Sequence, residues 1–202
     1  AGFHTATSLT RGSLTERTCR PLLQPERHSI IGFAQRTQGL MVAPGNPLGI
    51  QSLPDVQRTG ARFANRALGS GTRLWLDDSL AQAGLRAAEI QGYDRTEPSH
   101  TAVAQAVACG SADAGLGTEL AARSRSLDFI PLVTENYHLV CLTSALELPG
   151  IAALRILLQS PQWQHALAGL AGHQPAQCGT VLALDQVLPW WQVKNKKRYQ
   201  PT

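Results

Sequence analysis

The sequence predicts an α/β domain with a largely parallel sheet. Short runs of β-branched and aliphatic residues alternate with longer stretches of helical periodicity. Gly and Pro fall between these runs rather than inside them. The 202 residues, 43% hydrophobic and 16% charged, supply enough apolar material for a packed core and exclude wholesale disorder. Strands and helices in alternation are what a parallel sheet with covering helices requires.

The elements follow in order. A short helix is expected at Leu14–Leu22. Ile30–Ala34 and Leu40–Ala43 read as two strands, split by the polar stretch Gln35–Gly39, and Pro44-Gly45-Asn46-Pro47 as a turn. Leu53–Gln57 is a weak helix and Ala61–Ala64 a strand. Leu76, Leu80 and Ala83 fall on one face of a helix that Gly84 stops. Ile90–Tyr93 reads as a strand, Thr101–Cys109 as a helix closed by Gly110, Ala112–Gly115 as a buried strand and Glu119–Ser124 as a helix. Phe129–Val133 and His138–Leu142 are strands, Ile151–Leu158 and Pro161–Leu170 helices, and Val181–Leu184 the last strand.

Charge narrows the partners. Lys plus Arg number 18 and Asp plus Glu 14, but Lys194, Lys196, Lys197 and Arg198 stand together in one tail with no acid. Subtracting those four cations leaves the body at 14 against 14, so the net +4 belongs to the tail. A body without excess positive charge argues against a nucleic-acid-binding face. The tail itself reads as solvated. No apolar run approaches the ~18–20 residues that span a bilayer. Cys109 and Cys141, in apolar contexts, read as small buried hydrophobes. No cysteine pair has C-x-x-C spacing and no signal peptide is visible, so a cytoplasmic location is expected. The single methionine is Met41, which leads us to expect that the natural protein extends upstream.

Two helix starts carry the polar chemistry. Gly69-Ser70-Gly71-Thr72-Arg73 joins a strand to a helix. Its glycines let the backbone approach a ligand, its helix N-terminus offers free N–H groups, and Arg73 adds a guanidinium fork. An ordinary Ser or Thr cap explains the same residues equally well. It is neither a phosphate loop of the Gly-Lys-Ser/Thr kind nor a dinucleotide fingerprint. Ser99-His100-Thr101 opens the second helix with hydroxyls, amides and an imidazole. Catalysis is not expected. Ser70 is not in a nucleophile elbow, the histidines lack metal-ligand spacing, and Asp77-Asp78 point about 100° apart on their helix and read as structural. Trp190-Trp191 reads as core or interface.

The order of motifs resembles a known family. Gln38-Gly39-Leu40, Gly45-Asn46-Pro47, Arg62-Phe63-Ala64-Asn65-Arg66 and Gly69-Ser70-Gly71-Thr72-Arg73 come first, then Gly92-Tyr93 and Ser99-His100-Thr101-Ala102-Val103-Ala104. Gly110-Ser111-Ala112-Asp113-Ala114-Gly115-Leu116-Gly117, Leu127-Asp128-Phe129-Ile130-Pro131-Leu132 and Glu135-Asn136-Tyr137 complete the series. Together they resemble the type 2 periplasmic-binding-protein-like domain, molybdate-binding or molybdopterin-biosynthesis-like, that often follows a helix-turn-helix in bacterial regulators. The likeness runs over 1–142 and more weakly through Leu188–Trp191.

This resemblance implies two α/β lobes around a ligand cleft. Lobe I would be 1–60 and 127–202 with the crossovers, near 43–60 and 127–138, and lobe II would be 61–126. Lobe I is expected to be incomplete at its N-terminus. The ligand would be a small anion, molybdate, tungstate or a relative, with no cofactor and no metal held by the protein. Ser70, Gly71, Thr72 and Arg73 would bind it with Ser99, His100 and Thr101. By the resemblance, Gly117 and Thr118 would add donors from lobe II and His4 from lobe I. The implied function is a sensor whose closure biases an upstream DNA-binding domain. A solute-binding transport component and a molybdopterin-biosynthesis protein are the alternatives.

Overall fold

The computed structural model describes residues 2–6 and 13–191. Its sheet runs β1 (Gly2–Ala6), β6 (Asp128–Leu142), β2 (His28–Val42), β5 (Ala114–Thr118), β3 (Phe63–Arg66) and β4 (Thr96–Glu97). Two short strands, β7 (His173–Pro175) and β8 (Val181–Leu182), also pair with β2. The helices are α1 (Leu14–Cys19), α2 (Leu53–Thr59), α3 (Gly71–Gln82), α4 (His100–Ala108), α5 (Glu119–Arg123), α6 (Pro149–Gln159), α7 (Pro161–Ala168) and α8 (Leu184–Val187). The α/β class holds, but the sheet is not largely parallel. Among the described residues only β3 with β4 and β3 with β5 are parallel; the pairs made by β1, β2 and β6 are antiparallel.

The reason is that two expected strand pairs are each one long strand. Gln35–Gly39 does not interrupt β2, and 134–137 does not interrupt β6. The two 15-residue strands run side by side over nearly their whole length, with register shifts at Gly32/Ala34 and Gln38/Gly39. Gly32 and Gly39 are required there. A Cβ at Gly32 would overlap the Gln177 carbonyl, and one at Gly39 the Ile130 carbonyl. The stretch 43–60, expected to hold the first crossover, is a turn followed by α2, whose Leu53 and Val56 pack with Phe63 and Leu76.

Other differences are local. Ile90–Tyr93 is a turn, and the strand at that edge is β4. Two short elements, β7 and α8, carry no period long enough to read from sequence. Cys109 is exposed and Cys141 half-buried, while Cys178 is the buried cysteine. Trp190 is buried beside Leu184 and Leu188. The 194–198 tail lies outside the described residues.

The apolar core divides by position along β2 and β6. At one end Leu40, Val42, Phe63, Leu76 and Leu116 form one cluster, and Met41, Val103, Ala122 and Leu127 another. At the other end Ile30, Leu182 and Leu188 form a third, and Ile31, Leu158 and Leu167 a fourth. Between them the middle of β2 is polar. At ~25 cal/mol per Å² of apolar surface, these clusters supply the main driving force for each end.

Candidate functional site

The polar middle of the β2–β6 pair opens onto two adjoining cavities. One, of about 610 Å³, is lined by Arg36, Ser99, His100, Thr101, Thr118 and His173 among others. The other, of about 470 Å³, is lined by Gln35, Thr37, Glu119, Thr134, Gln174 and the 168–172 loop. Arg36 and His173 belong to both. The first cavity lies where the parallel strands end and helices begin, the edge at which open α/β sheets bind ligands.

Local sequence explains these positions. Ser99 caps α4, its hydroxyl accepting the Ala102 N–H at 3.0 Å. The N–H groups of the first helical turn have no intrahelical acceptor, so the cavity receives a helix N-terminus. Thr118 ends β5 and caps the short α5, accepting from Ala121 at 3.4 Å. Gly117 leaves room for His100. A Cβ there would lie 2.5 Å from the Met41 methyl and 3.4 Å from His100 Nδ1.

Arg36 and the exposed Arg125 line the first cavity, and Arg66 stands next to it. Arg36 donates through Nε to Glu135, which also accepts from Gln38 Nε2 at 2.6 Å. Its guanidinium lies 4.8 Å from the centre of the Tyr137 ring, so ion pair and ring fix its plane. Arg66, the last residue of β3, does not line the cavity but donates through Nη2 to the carbonyl of Pro98, which precedes the lining residue Ser99, at 3.2 Å. Its Nε is buried with no hydrogen-bond partner among the described residues. Burial, and then repulsion from Arg36, hold the Arg66 guanidinium pKa below its ordinary value. The residue as a whole is half-buried, and a desolvated guanidinium nitrogen without an acceptor is costly unless something else supplies one.

The structure thus brings Ser99, His100, Thr101 and Thr118 to one cavity, with Gly117 against His100. Ser70, Gly71, Thr72 and Arg73 do not line it. The Ser70 hydroxyl donates to the Ala67 carbonyl at 2.8 Å and accepts from Arg73 N–H at 3.3 Å, the geometry of a helix cap. Thr72 is buried. Arg73 is ion-paired to Asp77 at 3.0 Å and lies 3.9 Å from the Tyr93 ring centre. Asp77 also accepts from the Tyr93 hydroxyl at 2.6 Å. Asp78 accepts the Leu14 N–H at 3.0 Å. His4 stands opposite Tyr137 in β1, and its side chain lies outside the described residues.

Sequence reasoning missed Arg36, Arg125 and His173 in the lining, and Arg66 next to it. Arg66 stands in the quoted Arg62–Arg66 motif, and its position at a strand's carboxyl end was the available signal. Arg36 sat in a polar stretch read as a break.

Comparison with known proteins agrees with this architecture. The chain is 37% identical over 161 residues to the uncharacterized protein YvgK of Bacillus subtilis, covering 80% of this chain and 52% of that protein. It therefore spans about half the length of that relative. A histidine kinase sensor domain with similarity to periplasmic binding proteins superposes with a TM-score of 0.55 at 13% identity, over 87% of this chain and 70% of that one. The substrate-binding domain of a putative molybdenum ABC transporter from Clostridium difficile gives 0.51 at 12% identity, over 87% and 76%. Likeness at these identities concerns the fold. A family model described as the PBP superfamily domain matches residues 1–159, and the chain belongs to that family of ligand-binding domains.

Proposed function

We propose that this chain is the sensing domain of a regulator and binds a small anion between two lobes. The observation that carries the reading is the cavity that receives the Arg36 and Arg125 side chains and the α4 N-terminus, with Arg66, whose Nε is buried without a hydrogen-bond partner among the described residues, next to it through the Pro98 carbonyl. An anion there supplies the missing countercharge. The ligand is an inorganic oxyanion of the molybdate or tungstate kind, as the resemblance implies, or an anionic metabolite, which guanidinium forks fit equally well. The lobes are the two ends of the β2–β6 pair, which serves as the hinge, and closure around the anion provides the two states that a switch needs. A cytoplasmic location and a DNA-binding partner complete the regulator reading. The likeness to a molybdenum transporter domain favours a second reading, a solute-binding transport component on the same fold.

Calorimetry tests the anion. Molybdate, tungstate, sulfate, phosphate and a panel of small organic anions are titrated beside neutral sugars and amino acids. At least one anion binds, and Arg66→Met weakens it at least tenfold. Binding of a neutral compound alone, or anion binding indifferent to Arg66, overturns the reading.

A further inference from the structure

We propose that the anion is organic, with one anionic head and a hydroxyl-bearing body, the chemistry of a sugar phosphate or sugar acid. The inference rests on the anion reading above and goes on to size and shape. A tetrahedral oxyanion displaces roughly two or three waters' worth of volume, about 60–90 Å³. The cavity at Arg36, Ser99 and Arg125 is about 610 Å³, several times larger. Closure of the lobes narrows that cavity, but it does not remove the second chamber.

The second chamber is built on fixed backbone. Its floor is the continuous strand β2, with Gln35 opposite Gln174 and Arg36 opposite His173. The Thr37 N–H donates to the Gly172 carbonyl at 2.8 Å, which ties the 168–172 loop to the same strand. Across the gap, Gly172 already lies against Glu119. A Cβ added to Gly172 would come within 2.7 Å of the Glu119 Cβ. Nothing is left to close on that side, so the chamber of about 470 Å³ persists when the lobes come together.

Its lining sets the class of the body. Gln35 and Gln174 bring amides, Thr37 a hydroxyl and Glu119 a carboxylate. Amide and carboxylate oxygens accept from hydroxyl groups, and the amide N–H groups donate to them. Glu119 is paired with Arg123 at 3.1 Å, yet a carboxylate in the wall still disfavours a second anionic group. The head therefore belongs in the first cavity, beside Ser99, Thr101, Arg125 and the α4 N-terminus, with Arg66 next to it through Pro98. The hydroxylated body passes Arg36 and His173 into the second chamber.

Titration calorimetry on the whole chain separates the possibilities, with glucose 6-phosphate, gluconate, glucose, inorganic phosphate and molybdate as probes. Expected is that glucose 6-phosphate or gluconate binds at least tenfold more tightly than phosphate or molybdate, and that glucose gives no heat. Thr37→Val with Gln174→Ala then weakens the organic anion at least fivefold and leaves inorganic phosphate within twofold. Circular dichroism melting shows that this double variant remains folded. Two single variants replace it if it does not. Molybdate or phosphate binding as tightly as either organic anion overturns this inference and leaves the anion reading standing. So does an organic anion that is indifferent to Thr37 and Gln174. Binding of glucose alone, or of no probe, overturns both.

Discussion

At the scale of the residue, the informative groups are polar side chains that the fold buries at a cost. His138 is one. It lies on β6 opposite Gly32, 5% exposed, and burial depresses its pKa from 6.5 to about 4. In the unfolded chain it takes up a proton near its ordinary pKa, whereas in the folded protein it resists. The unfolded state therefore binds more protons between pH 6.5 and 4, and stability falls as pH falls through that window. Above pH 6.5 the contribution is fully present. The shift corresponds to at most about 3 kcal/mol at the acid end. In His138→Phe, urea midpoints measured from pH 7 to pH 4 should decline less steeply than in the parent. Parallel slopes would show that other groups carry the acid sensitivity. Arg66 is a different case: the residue is half-buried, only its Nε is buried without a hydrogen-bond partner among the described residues, and under the proposed function a bound anion would relieve that cost. Composition conceals both. A histidine between Tyr137 and Leu139 and an arginine ending a short strand look ordinary until the neighbouring strands are in place.

At the scale of the element, the helices were legible and the longest strands were not. α3 and α4 begin where Ser70 and Ser99 predict, because a hydroxyl cap, a glycine turn and an apolar stripe all act within one stretch of chain. β2 and β6 are different. Their polar middles face a cleft, so alternation fails where the strand remains continuous. The same feature that hid the strand positions Arg36 and Gln35 at the candidate site. Two glycines let the pair bend without breaking. At Gly39 the register shifts by one residue, and the Ile130 carbonyl occupies the space a side chain would need. Gly39→Val should cost about 2–3 kcal/mol, read as a lower urea midpoint, since backbone rather than a flexible side chain must yield. Gly150, where a Cβ meets no atom within 4 Å, is the control, and Gly150→Ala should leave the midpoint nearly unchanged or raised. Equal effects at the two positions would mean that the β2–β6 pair absorbs a side chain at its bulge.

At the scale of the whole molecule, the two ends of the β2–β6 pair are also joined by α1. The Leu14 N–H donates to both oxygens of Asp78 on α3, at 3.1 and 3.0 Å. α3 packs its Leu76 and Leu80 into one core cluster, whereas Cys19 at the end of α1 packs against the cluster of Leu23 and Ile30 at the other end. A single helix of six residues thus runs from one core to the other. Asp78 satisfies an N–H of the first turn of α1, and a cap of this kind contributes about 1 kcal/mol. The Ser13 hydroxyl, which accepts from Glu16 N–H at 3.1 Å, supplies the rest of that turn. Removing the carboxylate should therefore loosen the connection without unfolding either core. In Asp78→Ala, amide hydrogen exchange should quicken across Leu14–Cys19, while the buried strand Ala114–Thr118 keeps its protection. Anion affinity should fall, because a larger share of molecules then has the two ends apart and the closed form must be recruited. Uniformly faster exchange across the sheet would instead assign Asp78 to global stability. Unchanged exchange in α1 would mean that Ser13 and the packing of Cys19 suffice to hold the two ends together.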